Sequence, residues 1–250
     1  MINDSWNLSS FDSVRLKIQE IGEGHPVILL HGLFSNADTN WIKFGHAARL
    51  ATEGFRVIMP DLRAHGESDA PHEVAAYPED VLVKDIVALI EHLNFDSFDL
   101  GGFSLGARTT AKLLVNGVKP RKAILAGMGL EGLSGWERRQ DFFLSAIALK
   151  DDAKRGDPHW LAIQFMKSQK VDTIAAGHLL RTFSDVLEDD IRSIETPTMV
   201  LCGTEDRDNG DPMKLAELLS NGQHVETPGT HMSSVTKAEL GQKMVKFLTD

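Results

Sequence analysis

A serine hydroxyl flanked by glycines, in Gly102-Phe103-Ser104-Leu105-Gly106, stands where the apolar run "FDLGGFS" meets a helical pattern rich in Ala and Leu. Serine attacks a carbonyl carbon when a base takes its proton, and the base needs an acid to orient it. Of ten histidines, His231 is set apart in "ETPGTHMSS", between the last strand signal and the last helical pattern. The acid should lie on a loop between the two. "LCGTEDRDNGD" supplies Asp206, nearest the strand end, with Asp208 as the competitor. A lone Gly-x-Ser-x-Gly is a weak signal, but a strand-to-helix junction is where a nucleophile elbow belongs. The turn is expected to push Ser104 to positive φ and to bring strand and helix too close for side chains at Gly102 and Gly106. The Leu105 N–H, at the helix start, can then donate to an oxyanion.

The elements that would carry these residues are short and buried. "PVILLHG" (26–32), "FRVIMPD" (55–61), "FDLGGFS" (98–104), "KAILAGM" (122–128) and "TMVLCGT" (198–204) read as strands covered on both faces. "VRLKIQEIG" (14–22) alternates with period two and reads as a half-exposed edge strand, and "HVETP" (224–228) as a weak last strand. Helical patterns fall at about 40–53, 78–93, 105–117, 212–221 and 234–248. This alternation predicts an α/β protein: a mostly parallel sheet of about eight strands with helices on both faces. From 129 to 195 helical segments follow one another with no strand, in "GWERRQDFFLSAIAL", "PHWLAIQFMKS" and "TIAAGHLLRTFSDVL". The expected organisation is a core of 1–128 and 196–250 with 129–195 as a helical cap insertion.

Composition narrows the partners. The 250 residues are 42% apolar and 25% charged, with a net charge of -10. A spread acidic excess argues against nucleic acid, which is bound through clustered Lys and Arg. One cysteine, Cys202, permits no internal disulfide and fits a reducing compartment. The start, "MINDSWNLSSFDS", lacks the basic and apolar regions of a secretory signal, and no apolar run approaches the ~20 residues of a membrane span. A soluble cytoplasmic protein is expected, with no membrane partner and a homodimer left open.

Taken in order, these segments resemble the α/β-hydrolase fold superfamily over nearly the whole chain, from Val14 to Leu248. The residues that carry the resemblance are His31-Gly32, "PDLRAHGESD", the Ser104 elbow, Gly203-Thr-Glu-Asp206 and Pro228-Gly-Thr-His231. The order Ser, Asp, His is that of the family. Ala64, Ala107 and Thr230 stand where the family often has Gly. The resemblance implies catalytic Ser104, Asp206 and His231, and an oxyanion hole of the Leu33 and Leu105 amides. It gives His31 a supporting role in the oxyanion loop. The loop of Asp61, Arg63, His65 and Ser68 reads as a bridge of hydrogen bonds, and Cys202 as a core residue.

Two further motifs read against themselves. "GMGLEG" (127–132) matches G-x-G-x-x-G, but no helix opens after it. "DRDNGD" resembles a calcium loop, with Glu217 at the twelfth position, but Gly210 falls at position five where glycine is needed at six. No cofactor or metal is expected. Trp136, Phe142, Phe143, Leu144, Trp160, Phe165, Met166, Leu179 and Phe183 read mostly as cap core. A minority of them should line an apolar acyl pocket with Phe34, Leu105 and Met232. Arg138 and Arg139 read as a solvated helix face in preference to a carboxylate-binding pair.

The resulting expectation is a cofactor-free serine hydrolase acting on a small apolar carboxylic ester, lactone or thioester. Dehalogenases and epoxide hydrolases of this fold place Asp at the elbow, so Ser104 disfavours both. Carbon–carbon-bond hydrolases resemble the chain less, because its loop is "HGLFSN" and not Gly-rich; a perhydrolase or a lyase stays open. The alternative from another class is a ligand receptor of the same fold, which keeps the triad and turns over slowly.

Overall fold

The computed structural model describes residues 3–250. Eight strands form one sheet: β1 (Asn3–Ser9), β2 (Arg15–Ile21), β3 (His25–Leu30), β4 (Phe55–Pro60), β5 (Asp99–Phe103), β6 (Ala123–Ala126), β7 (Thr198–Gly203) and β8 (Gly222–Thr227). Their spatial order is β1-β2-β4-β3-β5-β6-β7-β8. β2 runs antiparallel to both of its neighbours, and every pairing from β4 onward is parallel. The expected α/β class with a mostly parallel eight-stranded sheet is the class found.

The apolar strands are buried on both faces. In β3, Val27 and Leu29 pack with Trp41, Leu50 and Met244, while Ile28 and Leu30 pack on the other side with Ile86 and Leu89. The layers are built by α1 (His46–Thr52), α2 (Val81–Leu93), α3 (Leu105–Val115), α8 (Pro212–Leu218) and α10 (Ala238–Thr249). Between β6 and β7 lie α4 (Trp136–Ala148), α5 (Trp160–Ser168), α6 (Thr173–Leu179) and α7 (Glu188–Arg192), and no strand. Phe34, Ala146, Ile163, Met166 and Ala176 form a separate apolar cluster there.

Three readings of the sequence are corrected. β2 is not an edge strand, because β1 pairs along its whole length and takes the edge. β1 is mostly polar, and only Trp6 and Leu8 alternate inward, with Leu8 buried. The pattern at 40–53 is broken at Gly45, which has φ 77°, into a wide turn over Asp38–Ile42 and the helix α1. The third segment of the insertion is helical only to Leu179. Beyond it, Asp80 N–H donates to Thr182 O, and Asp80 carboxylate oxygens accept from Ser184 N and Oγ, which holds the chain off the helix. Among the described residues no helix is long and apolar enough to cross a membrane.

Candidate active site

Parallel strands end on one edge, so the loops after β3, β5, β7 and β8 converge there. Ser104 follows β5 with φ 54° and ψ -109°, a backbone that an L residue rarely adopts. The turn is so tight that a Cβ on Gly102 would overlap the Gly106 carbonyl, and one on Gly106 would overlap the Leu30 carbonyl. Glycine at both positions lets α3 approach β5 and β3, and the serine is turned out over the sheet edge. Ser104 N–H donates to Ala126 O at 2.8 Å, which pins the turn to β6.

His231 Nε2 lies 3.0 Å from Ser104 Oγ, and its Nδ1 lies 2.9 Å from Asp206 Oδ2. An ionised carboxylate only accepts, so Nδ1 carries the hydrogen and Nε2 accepts from the serine hydroxyl. Asp206, from the β7 loop, is buried; its Oδ1 accepts from Asp208 N–H at 3.1 Å. Asp208 itself is exposed and directs no carboxylate oxygen at the histidine. Thr230 caps the short helix α9 (His231–Ser234): its hydroxyl accepts from Ser233 N–H, and Ser233 Oγ accepts from Thr230 N–H. The residue that departs from the family's glycine thus fixes the turn that carries His231. The imidazole also packs on Phe103, with ring centroids 5.0 Å apart.

The loop after β3 is laced to the loop after β4. His31 Nε2 accepts from Leu62 N–H at 2.9 Å while Nδ1–H donates to Gly32 O. His65 Nε2 accepts from Phe34 N–H at 3.0 Å while Nδ1–H donates to Arg63 O. Burial pushes the His31 imidazole down to about 4 and that of His65 to about 3, so both stay neutral acceptors. Asp61 takes Ala37 N–H and Glu67 N–H, both at 2.8 Å. Gly32 N–H goes to Asn40 Oδ1 at 3.0 Å. The amides of Leu33 and Leu105 are left: neither donates a hydrogen bond among the described residues. Arg63 is wholly buried, between Asp85 and Asp12. His65 makes hydrogen bonds as expected of its loop, though to the loop after β3; Asn40 was missed in the sequence because it carries no motif and a wide turn eight residues downstream brings it back to Gly32.

Two cavities adjoin Ser104. The larger, of about 280 Å³, is bordered by Leu33, Ser104, His231, Met232, Phe44 and Phe165. The smaller, of about 20 Å³, is bordered by Leu33, Ser104, Leu105, Trp136, Arg139 and Phe143. Phe34, Leu105 and Met232, expected to line an apolar acyl pocket, do not share either of these cavities, while Trp136, Phe143 and Phe165 from the expected cap residues do border them. Leu105 lies on the smaller cavity, Met232 on the larger and Phe34 on neither, since Phe34 is turned into the insertion's apolar cluster against Phe143. Arg138 is exposed as expected, but Arg139 is half-buried at the smaller cavity.

The remaining candidates are used structurally. Cys202 is buried with its thiol pushed up to about 12, chiefly by burial, and Sγ donates to Met128 O. In the polar run at 206–211, Asn209 Nδ2 donates to Gly127 O and Asp211 caps α8. A Cβ on Gly129 would meet the Gly210 backbone at 2.5 Å, so "GMGLEG" is packed against that run and offers no open cradle. Among the described residues no three His, Cys, Asp or Glu side chains are grouped to hold a metal ion.

A fold of this topology, with a serine elbow and a histidine and aspartate brought in from later strands, defines a class, and the comparisons agree. A family model described as alpha/beta hydrolase fold matches residues 25–161. The chain belongs to that family of hydrolases. It is 28% identical over 220 residues to the AB hydrolase superfamily protein YisY of Bacillus subtilis, covering 78% of this chain and 80% of that one. It is 33% identical over 99 residues to Epoxide hydrolase 2 of Siraitia grosvenorii, covering 39% of this chain and 30% of that one. Among solved structures, the esterase EaEST from Exiguobacterium antarcticum superposes with a TM-score of 0.77 at 20% identity, over 99% of this chain and 100% of that one.

Proposed function

We propose that the protein is a cofactor-free serine hydrolase of carboxylic esters, with Ser104 as nucleophile, His231 as base and Asp206 as its orienting acid. The observation that carries this reading is the continuous pair of contacts, Ser104 Oγ to His231 Nε2 at 3.0 Å and His231 Nδ1 to Asp206 Oδ2 at 2.9 Å. Oγ attacks the carbonyl carbon as its proton passes to Nε2. The carbonyl oxygen becomes an oxyanion, which the Leu33 and Leu105 amides receive. When the tetrahedral intermediate collapses, the C–O bond to the alcohol breaks and the alcohol takes the proton from Nε2. Water then gives a proton to Nε2 and attacks the acyl carbon. Ser104 Oγ leaves, retakes that proton, and the acid is released. Asp206 holds the Nδ1–H tautomer through both halves and stays ionised.

The comparisons support hydrolysis in general, and the choice of an ester rests on the serine. The epoxide hydrolase relative covers less than half of this chain, and the elbow here carries a hydroxyl, which forms an acyl-enzyme from a carbonyl substrate. A fluorophosphonate tests the reading directly. One label on Ser104, with loss of ester hydrolysis in proportion to labelling and repeated turnovers before it, is the expected result. Labelled protein that keeps full esterase activity overturns it. A single stoichiometric acylation with no second cycle points instead to a ligand receptor.

A further inference from the structure

The two cavities beside Ser104 differ in which catalytic group they meet. Ser104 and Leu33 border both, His231 borders only the larger and Leu105 only the smaller. A leaving group must reach His231 Nε2 to take its proton, so it occupies the larger cavity. The acyl chain, on the other side of the same carbonyl carbon, then enters the smaller one. At about 20 Å³ that space is little more than room for one water molecule, so the acyl group it takes is short.

The charge there is unusual for this chain. The protein carries a net charge of -10, yet neither cavity is bordered by an Asp or a Glu. Two arginines border the smaller one. Arg108 is occupied: its Nη1 donates to Gly132 O at 2.6 Å, and its Nη2 donates to Ser184 O at 2.8 Å and reaches Asp185 at 3.2 Å. Arg139 is not. One bond, Nη1 to Asp208 O at 2.6 Å, uses one of its five donors, and no ion pair forms to it among the described residues. The guanidinium sits 5.8 Å over the Phe143 ring; burial pulls its pKa below the ordinary arginine value, outweighing the through-space pull of the Asp208 and Asp206 carboxylates, neither of which pairs with it. A desolvated cation with an open fork favours a planar anion, which it can grip with two parallel bonds.

We propose that the smaller cavity is a carboxylate subsite: the enzyme acts on esters whose short acyl group ends in a carboxylate, and Arg139 selects them. This rests on the serine-hydrolase reading for the direction of the acyl chain. It replaces the apolar acyl group expected from the sequence.

The test compares monobenzyl succinate with benzyl isocaproate, in which an isopropyl group stands in for the carboxylate. In the wild-type enzyme kcat/KM favours the succinate by about 10- to 100-fold, the range expected of a hydrogen-bonded charge. In Arg139→Gln that ratio collapses towards one, Arg139→Lys recovers part of it, and Arg138→Gln, on the exposed neighbour, retains the wild-type ratio. Calorimetric binding of both esters to Ser104→Ala gives the same preference without turnover. A wild-type ratio of one or less, or a ratio that survives Arg139→Gln in a folded protein, overturns the subsite while the esterase stands. If neither ester is turned over but Ser104→Ala still prefers the succinate, and loses that preference on adding Arg139→Gln, the anion site stands and the esterase reading falls. Absence of a preference in binding as well overturns the subsite.

Discussion

Three buried histidines lie at the carboxyl edge of the sheet, in two neighbouring loop systems, and they are put to opposite uses. His31 and His65, in the loops after β3 and β4, spend one ring nitrogen on a backbone N–H and the other on a backbone carbonyl. His231, after β8, spends neither on the backbone: one nitrogen faces a hydroxyl and the other a carboxylate. Burial alone favours the neutral ring. A carboxylate beside Nδ1 compensates the positive ring that proton transfer creates, and His31 and His65 donate no hydrogen bond to a carboxylate. The first pair therefore serves as fixed acceptors that shape the Leu33 loop, and the third is left free to carry the proton in the proposed mechanism.

The largest expected effect is on His231 and Ser104. His231→Ala and Ser104→Ala should each lower kcat by about four to six orders of magnitude at nearly wild-type thermal stability. A variant of His231 that keeps a tenth of the activity in a steady-state ester assay would erase the contrast between the two loop systems. Next comes the acid. Asp206→Asn should cost about four orders of magnitude in kcat by misplacing the His231 proton, while Asp208→Asn costs less than about tenfold. The reverse order, measured at matched thermal stability, would mean that the β7 loop enters the site differently.

The structural pair should respond in stability. His65→Ala leaves the Phe34 N–H unpaired and should cost about 1–3 kcal/mol for that donor, plus the cavity left behind, read from urea denaturation. The pH dependence sharpens the point. His31 and His65 titrate at about 4 and about 3 when folded, below the ordinary histidine value of 6.5. As pH falls from 6.5 towards those values, the unfolded chain binds protons that the native state does not. Stability is full above that range and drops by about 1.4 kcal/mol per pH unit for each histidine as acid is added. Asp61, whose carboxyl is raised by burial, works the other way at the acid end. His46, whose imidazole burial also lowers, adds to this slope, so His65→Gln should reduce the slope without abolishing it, and an unchanged slope would show that the His65 ring does not stay neutral. The smallest effect concerns Ala64, which sits at φ 66° in the same loop. Glycine relieves the strain of that conformation but adds freedom to the unfolded chain, so Ala64→Gly should shift stability by less than about 1 kcal/mol in either direction.

Much of this was legible in the chain itself. The elbow, the placement of Asp206 after β7 and of His231 after β8, and the parallel sheet are all written in local patterns: apolar runs ending in Gly or Pro, and glycines on either side of one serine. Such signals survive without tertiary context because each depends on a few consecutive residues. β1 was hidden because its outward residues are polar and its inward alternation spans only Trp6 and Leu8. The break at Gly45 and the non-helical stretch after Leu179 were hidden because the forces that override helix propensity come from elsewhere, as with Asp80 gripping Ser184 across 104 residues.

The sequence by itself determined which chemical groups the protein holds and on which strand ends they stand, since strand direction and chain order suffice for that. Tertiary structure alone decided how space around Ser104 is divided. It turned Phe34 away from the cavities and into the apolar cluster between β6 and β7, brought Asn40 back to Gly32, and placed Arg139 on the smaller cavity that Ser104 borders while leaving Arg138 in solvent. The physical reason is that a cavity belongs to no segment. Its walls come at once from the segments that follow β3, β5 and β8 and from the helices between β6 and β7, and the face that α4 presents to them depends on how those helices pack.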